Sequence, residues 1–208
     1  MPNFAEIRLA LYGAWRLLVL DAKGLAYLRG DFRGALHSFW VAAILLPLAV
    51  LEGFIPEPVN ADTNANMPAV AHNPYIDLAG FFLSWFLLLA ITYGLVRWYG
   101  RKERFGLFVS TYNWARIPRS LADVLCLAIY SGAGHIVDLN SVQSAPPALA
   151  ILGSFAVAIV IGLQVLMLAY EWFVSWTSLD SGIALPTIIL LLDLVFAVSL
   201  PKISALLA

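Results

Sequence analysis

The chain has 208 residues, a net charge of −1 and a mean hydropathy of +0.85, with 62% hydrophobic and only 12% charged residues. Soluble domains average about 45–50% apolar and about 25% charged residues, so this composition excludes an ordinary soluble domain and predicts a membrane protein. The three histidines and the single Cys126 lack the spacing of a metal site, and no catalytic motif occurs in the sequence. We therefore expect a non-enzymatic protein without a metal, a cofactor or a nucleic-acid partner.

The first 34 residues have the pattern of a cytoplasmic amphipathic region. Apolar residues recur at helical spacing in its first half: Phe4, Ile7, Leu11, Ala14, Trp15 and Leu18. Arg8 and Arg16 lie on another face of the same predicted helix. The pattern predicts an interfacial helix on the membrane surface, or alternatively a helix packed on the bundle. Asp21 and Asp31 are expected to cap two further short helices.

Residues 35–208 are predicted to form five transmembrane helices. The apolar segments cover about residues 35–51, 75–99, 105–136, 148–172 and 183–200, and we expect a kink at Pro118 in the third. Two polar loops, at 52–74 and about 131–147, contain neither Lys nor Arg. The predicted fold class is an all-α polytopic membrane helix bundle with an N-terminal amphipathic interfacial helix.

Positive charge is concentrated on one side of these predicted segments. The basic residues before the first span and around the turn between the second and third spans are Arg8, Arg16, Lys23, Arg29, Arg33, Arg97, Arg101, Lys102 and Arg104. The positive-inside rule then places the N-terminus in the cytoplasm and, with five spans, the C-terminus in the periplasm. The turn at 175–182 should also be cytoplasmic, although it carries no Lys or Arg. The sequence has no Asn-x-Ser/Thr sequon, which is compatible with a bacterial inner membrane, and anionic lipids of its inner face are expected partners.

Polar residues interrupt the third and fifth apolar segments: Asn113, Arg116, Arg119, Asp123 and Asp193. A charge near hydrocarbon is costly, so each one needs a partner, water or a route to the lipid headgroups. An ion pair of Arg116 or Arg119 with Asp193 would lower that cost. Arg119 also precedes Asp123 by one helical turn, which makes Asp123 the second candidate partner.

Two placements of this stretch are compatible with the sequence. In one, a single helix from Phe105 puts Arg116 near the middle of the bilayer. In the other, Phe105–Ile117 lies in the inner interface, the span starts at Pro118, and both arginines reach the phosphates. The sequence favours the second placement, because the residue before a proline tends to leave the helix. Glu171, at the inner end of the fourth segment, is expected to form a structural ion pair there.

Several short stretches resemble the Yip family of Ypt/Rab-interacting five-span membrane proteins. They are Gly106-Leu107-Phe108, residues 112–118, Tyr170-Glu171-Trp172-Phe173 and residues 184–193. The resemblance implies a small bacterial Yip-like scaffold or accessory subunit that binds other membrane proteins or shapes the membrane. Arg8, Arg16 and Glu171 are then candidate interface or partner residues. The alternative function is a small solute transporter or channel that uses Arg116, Arg119, Asp123 and Asp193.

Overall fold

The computed structural model describes residues 1–52, 74–136 and 147–207, and all regular structure within these ranges is helical. The helices are α1 (Phe4–Leu18), α2 (Phe32–Ser38), α3 (Val41–Glu52), α4 (Pro74–Trp98), α5 (Phe105–Ile136), α6 (Pro147–Leu179) and α7 (Ala184–Leu207). Short 3-10 segments, Ala22–Tyr27 and Lys102–Arg104, lie between α1 and α2 and between α4 and α5. The all-α fold class is confirmed, while the polar loops of the sequence prediction lie largely outside the described residues.

Side-chain caps define where the N-terminal helices begin. Asn3 and Glu6 form a capping box at the start of α1, in which each side chain accepts a hydrogen bond from the other residue's backbone N–H. Asp21 caps the first 3-10 segment, and Asp31 caps α2 by accepting the backbone N–H of Gly34 at 2.8 Å. Both predicted aspartate caps are therefore confirmed.

Helix α1 packs on the bundle and also keeps an exposed apolar face. Its buried residues are small or aliphatic: Ala10, Gly13, Ala14 and Leu17. A Cβ atom on Gly24 would lie 2.5 Å from the carbonyl oxygen of Gly13, so both glycines allow the close approach of the 3-10 segment. Phe4, Leu11 and Trp15 remain exposed. Of the two alternatives that the sequence left open, the structure therefore supports the packed helix, and the exposed apolar face leaves the membrane-surface helix as a prediction.

Helix α5 is the centre of the fold. Every residue from Phe108 to Ala115 is buried, and α5 packs against α1, α2, α3 and α6. The helix continues from Phe105 to Ile136 through Pro118, which differs from the favoured interpretation of a separate span beginning at Pro118. The proline ring removes one backbone N–H from the helix. Packing of neighbouring helices along the preceding turns provides the stabilisation that keeps the two halves in one element.

Two helical stretches within the described residues are long and apolar enough to cross a membrane: Phe32–Ala49, which joins α2 and α3, and Ile151–Leu179 in α6. The second has a mean hydropathy of 2.5, yet only 11% of it is buried inside the protein. The core helix of a soluble protein would be largely buried instead. An open groove of about 540 Å³ beside α6 is likewise lined by apolar side chains, among them Leu20, Trp172 and Leu190. A hydrocarbon environment explains this exposed apolar surface.

Candidate functional site: a polar network around helix α5

Asn113 joins three helices inside the bundle. Its side chain is fully buried, and its amide oxygen accepts the indole N–H of Trp85 on α4 at 2.9 Å. Its amide N–H donates to the hydroxyl of Ser38, at the end of α2, at 2.8 Å. Ser38 in turn donates to the carbonyl of Ala35 at 2.6 Å. The amide thus accepts one hydrogen bond and donates one across helix boundaries, as expected for a buried polar group.

Arg119 is shared by two carboxylates on two helices. Its Nε lies 3.0 Å from Asp123, one turn further along α5, and its Nη1 lies 3.2 Å from Glu171 on α6. The side chain of Gln164, also on α6, donates to the other oxygen of Asp123 at 3.1 Å. The ion pair of Arg119 with Glu171 and the hydrogen bond from Gln164 to Asp123 join α5 to α6. The predicted Arg119–Asp123 pair and the predicted ion pair of Glu171 are both present.

Arg116 and Asp193 are connected through a tyrosine. The Tyr112 hydroxyl donates to Asp193 on α7 at 3.1 Å and accepts from the Nη2 of Arg116 at 3.1 Å. The guanidinium of Arg116 also lies over the rings of Trp85 and Tyr112, 4.9 and 5.0 Å from their centroids. Cation–π contacts of this kind stabilise a charge that is removed from water.

The structure changes the predicted order of carboxylate partners. Asp193 was expected to hold an arginine directly, but the contact with Arg116 runs through the Tyr112 hydroxyl. Arg119 instead contacts Asp123 and Glu171. The spacing of residues along α5 could not predict which carboxylate each arginine contacts, because that pairing depends on which faces of α6 and α7 turn toward α5. Tyr112 was part of the polar stretch in the sequence, yet its bridging position gave no sequence signal.

One end of the molecule collects most of the surface cations. Asp180, in the turn between α6 and α7, lies 3.1 Å from Arg104 and 3.9 Å from Arg101. The backbone of Gly30 approaches the start of α5 so closely that a Cβ on Gly106 would lie 2.5 Å from its carbonyl oxygen. The N-terminal region, the turn between α4 and α5 and the turn between α6 and α7 therefore meet at one end of the molecule, which we call the basic end. The contacts of Asp180 with Arg101 and Arg104 explain why the turn at 175–182 lies at the basic end although it has no Lys or Arg of its own.

The two predicted N-terminal interface arginines have different surroundings. Arg8 is exposed on α1, so it is available to a partner or a lipid headgroup. Arg16 is held by Asp21 and lies near the rings of Tyr12 and Tyr27, each 5.8 Å from its guanidinium carbon. The hydrogen bond from Arg16 lowers the pKa of the Asp21 carboxyl. Arg16 therefore stabilises the N-terminal fold instead of forming a free cation.

Glu6 ties the start of α1 to the segment that follows. Its carboxylate lies 2.9 Å from Arg29 and 3.3 Å from the Nδ1 of His37 on α2. The hydrogen bond from the backbone N–H of Asn3, more than the contact with Arg29, lowers the pKa of Glu6. These contacts make the N-terminal region one folded unit that docks on the bundle.

The described contacts of the network are ion pairs, hydrogen bonds and cation–π contacts. Among the residues that the structure describes, no group of three His, Cys, Asp or Glu side chains is arranged to hold a metal ion. Comparisons of the chain with protein-family models, curated proteins and solved structures find no match in any of the three.

Proposed function

We propose that this protein is a multi-pass integral membrane protein of the bacterial inner membrane that acts as a Yip-like scaffold or accessory subunit for other membrane proteins. The observation that carries the proposal is that the polar side chains around α5 contact one another across helices. Asn113 joins α2, α4 and α5, and Arg119 joins α5 to α6. Polar groups used in this way hold transmembrane helices together.

The proposed orientation has five spans, formed by α2–α3 together and by α4, α5, α6 and α7, with the basic end in the cytoplasm. The exposed cations at that end favour the inner leaflet, where anionic lipids attract each Lys or Arg by about 1 kcal/mol. An alkaline phosphatase fusion after Ala208 should be active, and a fusion at Lys102 should be inactive. The reverse pattern would invert the topology.

The exposed apolar face of α1 is the part of the basic end that suits a protein partner. Trp15 on this face is 59% exposed, and Val165 on α6, 60% exposed, provides a matched position on a lipid-facing helix. A photoreactive amino acid incorporated at position 15 or 165 of the full-length protein, in native membranes, crosslinks to whatever molecule lies beside that position. We expect protein adducts of defined mass from position 15 and only lipid adducts from position 165. Lipid adducts alone at both positions would refute the scaffold.

The second candidate function is a small solute carrier or channel. The observation that favours it is the combination of Arg116, Arg119, Asp123, Glu171 and Asp193 in one network around α5, α6 and α7. Such charges at membrane depth often mark an ion or substrate pathway. A solute flux into liposomes that contain the purified protein, abolished by Arg119→Gln, would support this function over the scaffold.

A further inference from the structure

The network around α5, α6 and α7 contains unequal numbers of acids and bases. Its described carboxylates are Asp123, Glu171 and Asp193, and its guanidinium groups are Arg116 and Arg119. Fully ionised, these five side chains carry three negative charges and two positive charges. An excess charge in surroundings of low dielectric is costly, and the usual response of such a site is to take up or release a proton.

The three carboxylates differ in how well they are solvated. Asp123 is 37% exposed and has two donors, the Nε of Arg119 at 3.0 Å and the amide of Gln164 at 3.1 Å. Glu171 is only 15% exposed, and its contact with Arg119 is the longer one, at 3.2 Å. Asp193 receives the Tyr112 hydroxyl, which is itself polarised by a guanidinium. Within the described contacts, Asp123 accepts two hydrogen bonds and Asp193 accepts one, whereas Glu171 has its ion pair with Arg119 but accepts no hydrogen bond, so its ionised form is the least stabilised by hydrogen bonding.

The charged groups that face Glu171 come from α5 and α7. Helix α5 contributes Arg116, Arg119 and Asp123, and α7 contributes Asp193. Helix α1 packs beside it, since the Tyr170 hydroxyl donates to the Ala14 carbonyl at 3.3 Å. On α1, Arg16 is paired with Asp21. With one proton on Glu171, the other four charges of the network balance.

We propose that Glu171 is a proton-binding site, which takes one proton from water onto a carboxylate oxygen and leaves Asp123, Asp193, Arg116 and Arg119 as a neutral set. The proton adds to an oxygen lone pair, so no other bond forms or breaks and no further reactant is needed. The Arg119 guanidinium keeps Asp123 as its ionised partner, and its contact with Glu171 changes from an ion pair to an ion–dipole contact that still joins α5 to α6. This site is independent of whether the protein acts as a scaffold or as a carrier.

Infrared spectroscopy tests the proposal on the full-length protein in lipid nanodiscs. A protonated carboxylic acid has a carbonyl stretching band that a carboxylate lacks. At about pH 6 carboxyl groups with an ordinary pKa near 4 are ionised, so the band should report a shielded acid and should disappear in alkaline buffer. We expect Glu171→Gln to remove the band, and Glu103→Gln, a change in the exposed turn before α5, to leave it unchanged.

Isotope labelling of the wild-type protein gives the same answer without a substitution, in case Glu171→Gln does not fold. With ¹³C in the glutamate carboxyl groups, the band should shift; with ¹³C in the aspartate carboxyl groups, it should stay in place. A shift with labelled aspartate, a band that persists in Glu171→Gln, or no band at all at about pH 6 would each overturn the proposal.

Discussion

Replacing Asn113 by leucine should destabilise the bundle mainly through Trp85. The substitution keeps a side chain of similar size but removes the acceptor of the Trp85 N–H, which is donated at 2.9 Å from a residue that is 1% exposed. Removing one partner of a buried hydrogen bond costs about 1–3 kcal/mol. Hydrogen bonds between transmembrane helices average about 0.6 kcal/mol and reach about 1.7 kcal/mol. We therefore expect a loss of about 1–2 kcal/mol in the free energy of unfolding.

A double-mutant cycle isolates this bond from the rest of the change. Trp85→Phe removes the donor of the hydrogen bond. In the combined variant both partners are absent, so neither leaves an unpaired polar group that lowers the free energy of unfolding. The combined loss should therefore be smaller than the sum of the two single losses. Denaturant titration of the purified protein in detergent micelles measures all three variants.

Thr111→Val provides a matched control on the same helix. Thr111 is also fully buried, but its hydroxyl donates to the Leu107 carbonyl within α5, at 2.7 Å. Its loss should cost less than the loss of Asn113, because no second helix is involved. Strict additivity of the Asn113 and Trp85 changes, within about 0.5 kcal/mol, would show that their hydrogen bond does not hold α4 to α5.

Three further predictions follow from other contacts. Arg119→Gln should lower the free energy of unfolding by about 1–3 kcal/mol, less than for a fully buried pair, because the arginine side chain is 25% exposed. Gly24→Ala should loosen the N-terminal region in protease digestion, whereas Gly94→Ala, with no atom near its Cβ, should not. Because the folded pKa values of Glu6 and Asp21 lie below their ordinary 4.5 and 3.8, their stabilisation is complete above these values. It is lost as the pH falls through the lower folded values, so cleavage by an acid-active protease should rise there.

Control variants test the ion-pair prediction and the pH prediction. Arg8→Gln changes an exposed arginine and should alter the free energy of unfolding by no more than about 0.5 kcal/mol. An equal effect of Arg8→Gln and Arg119→Gln would contradict the ion-pair reasoning. A Glu6→Gln/Asp21→Asn variant should lose the acid-dependent part of the cleavage, and unchanged pH dependence in that variant would refute the linkage.

The sequence was sufficient to predict helices and their caps. Apolar runs and proline or aspartate signals identified helical segments along the chain, and the caps at Asp21 and Asp31 follow from local chemistry alone. The continuity of α5 through Pro118 was not predictable in the same way. A proline disfavours the preceding residue in a helix, but packing on α5 from several neighbours outweighs this local preference.

The candidate site was predicted only in part, for a related reason. Arg119 and Asp123 lie one turn apart on the same helix, so their contact is a local property of the sequence. The position of Tyr112 between Arg116 and Asp193 depends on the rotation of α7, which no spacing within α5 reports. Charge alone therefore favoured a direct arginine–aspartate pair over the observed hydroxyl bridge.

The polar contacts of α5 also explain how a largely apolar bundle adopts one helix arrangement in lipid. Apolar side chains find similar surroundings in lipid tails and in neighbouring helices, so they determine helix rotation only through shape. Helix α5 instead meets α4 through Asn113, α7 through Tyr112 and α6 through Arg119. Asn113 lies on a different side of α5 from Tyr112 and Arg119, which are seven residues apart on one face, so together these contacts fix both the rotation of the helix and its depth. A charged stretch that looks like a ligand site in the sequence therefore has a structural reason to exist before any solute is considered.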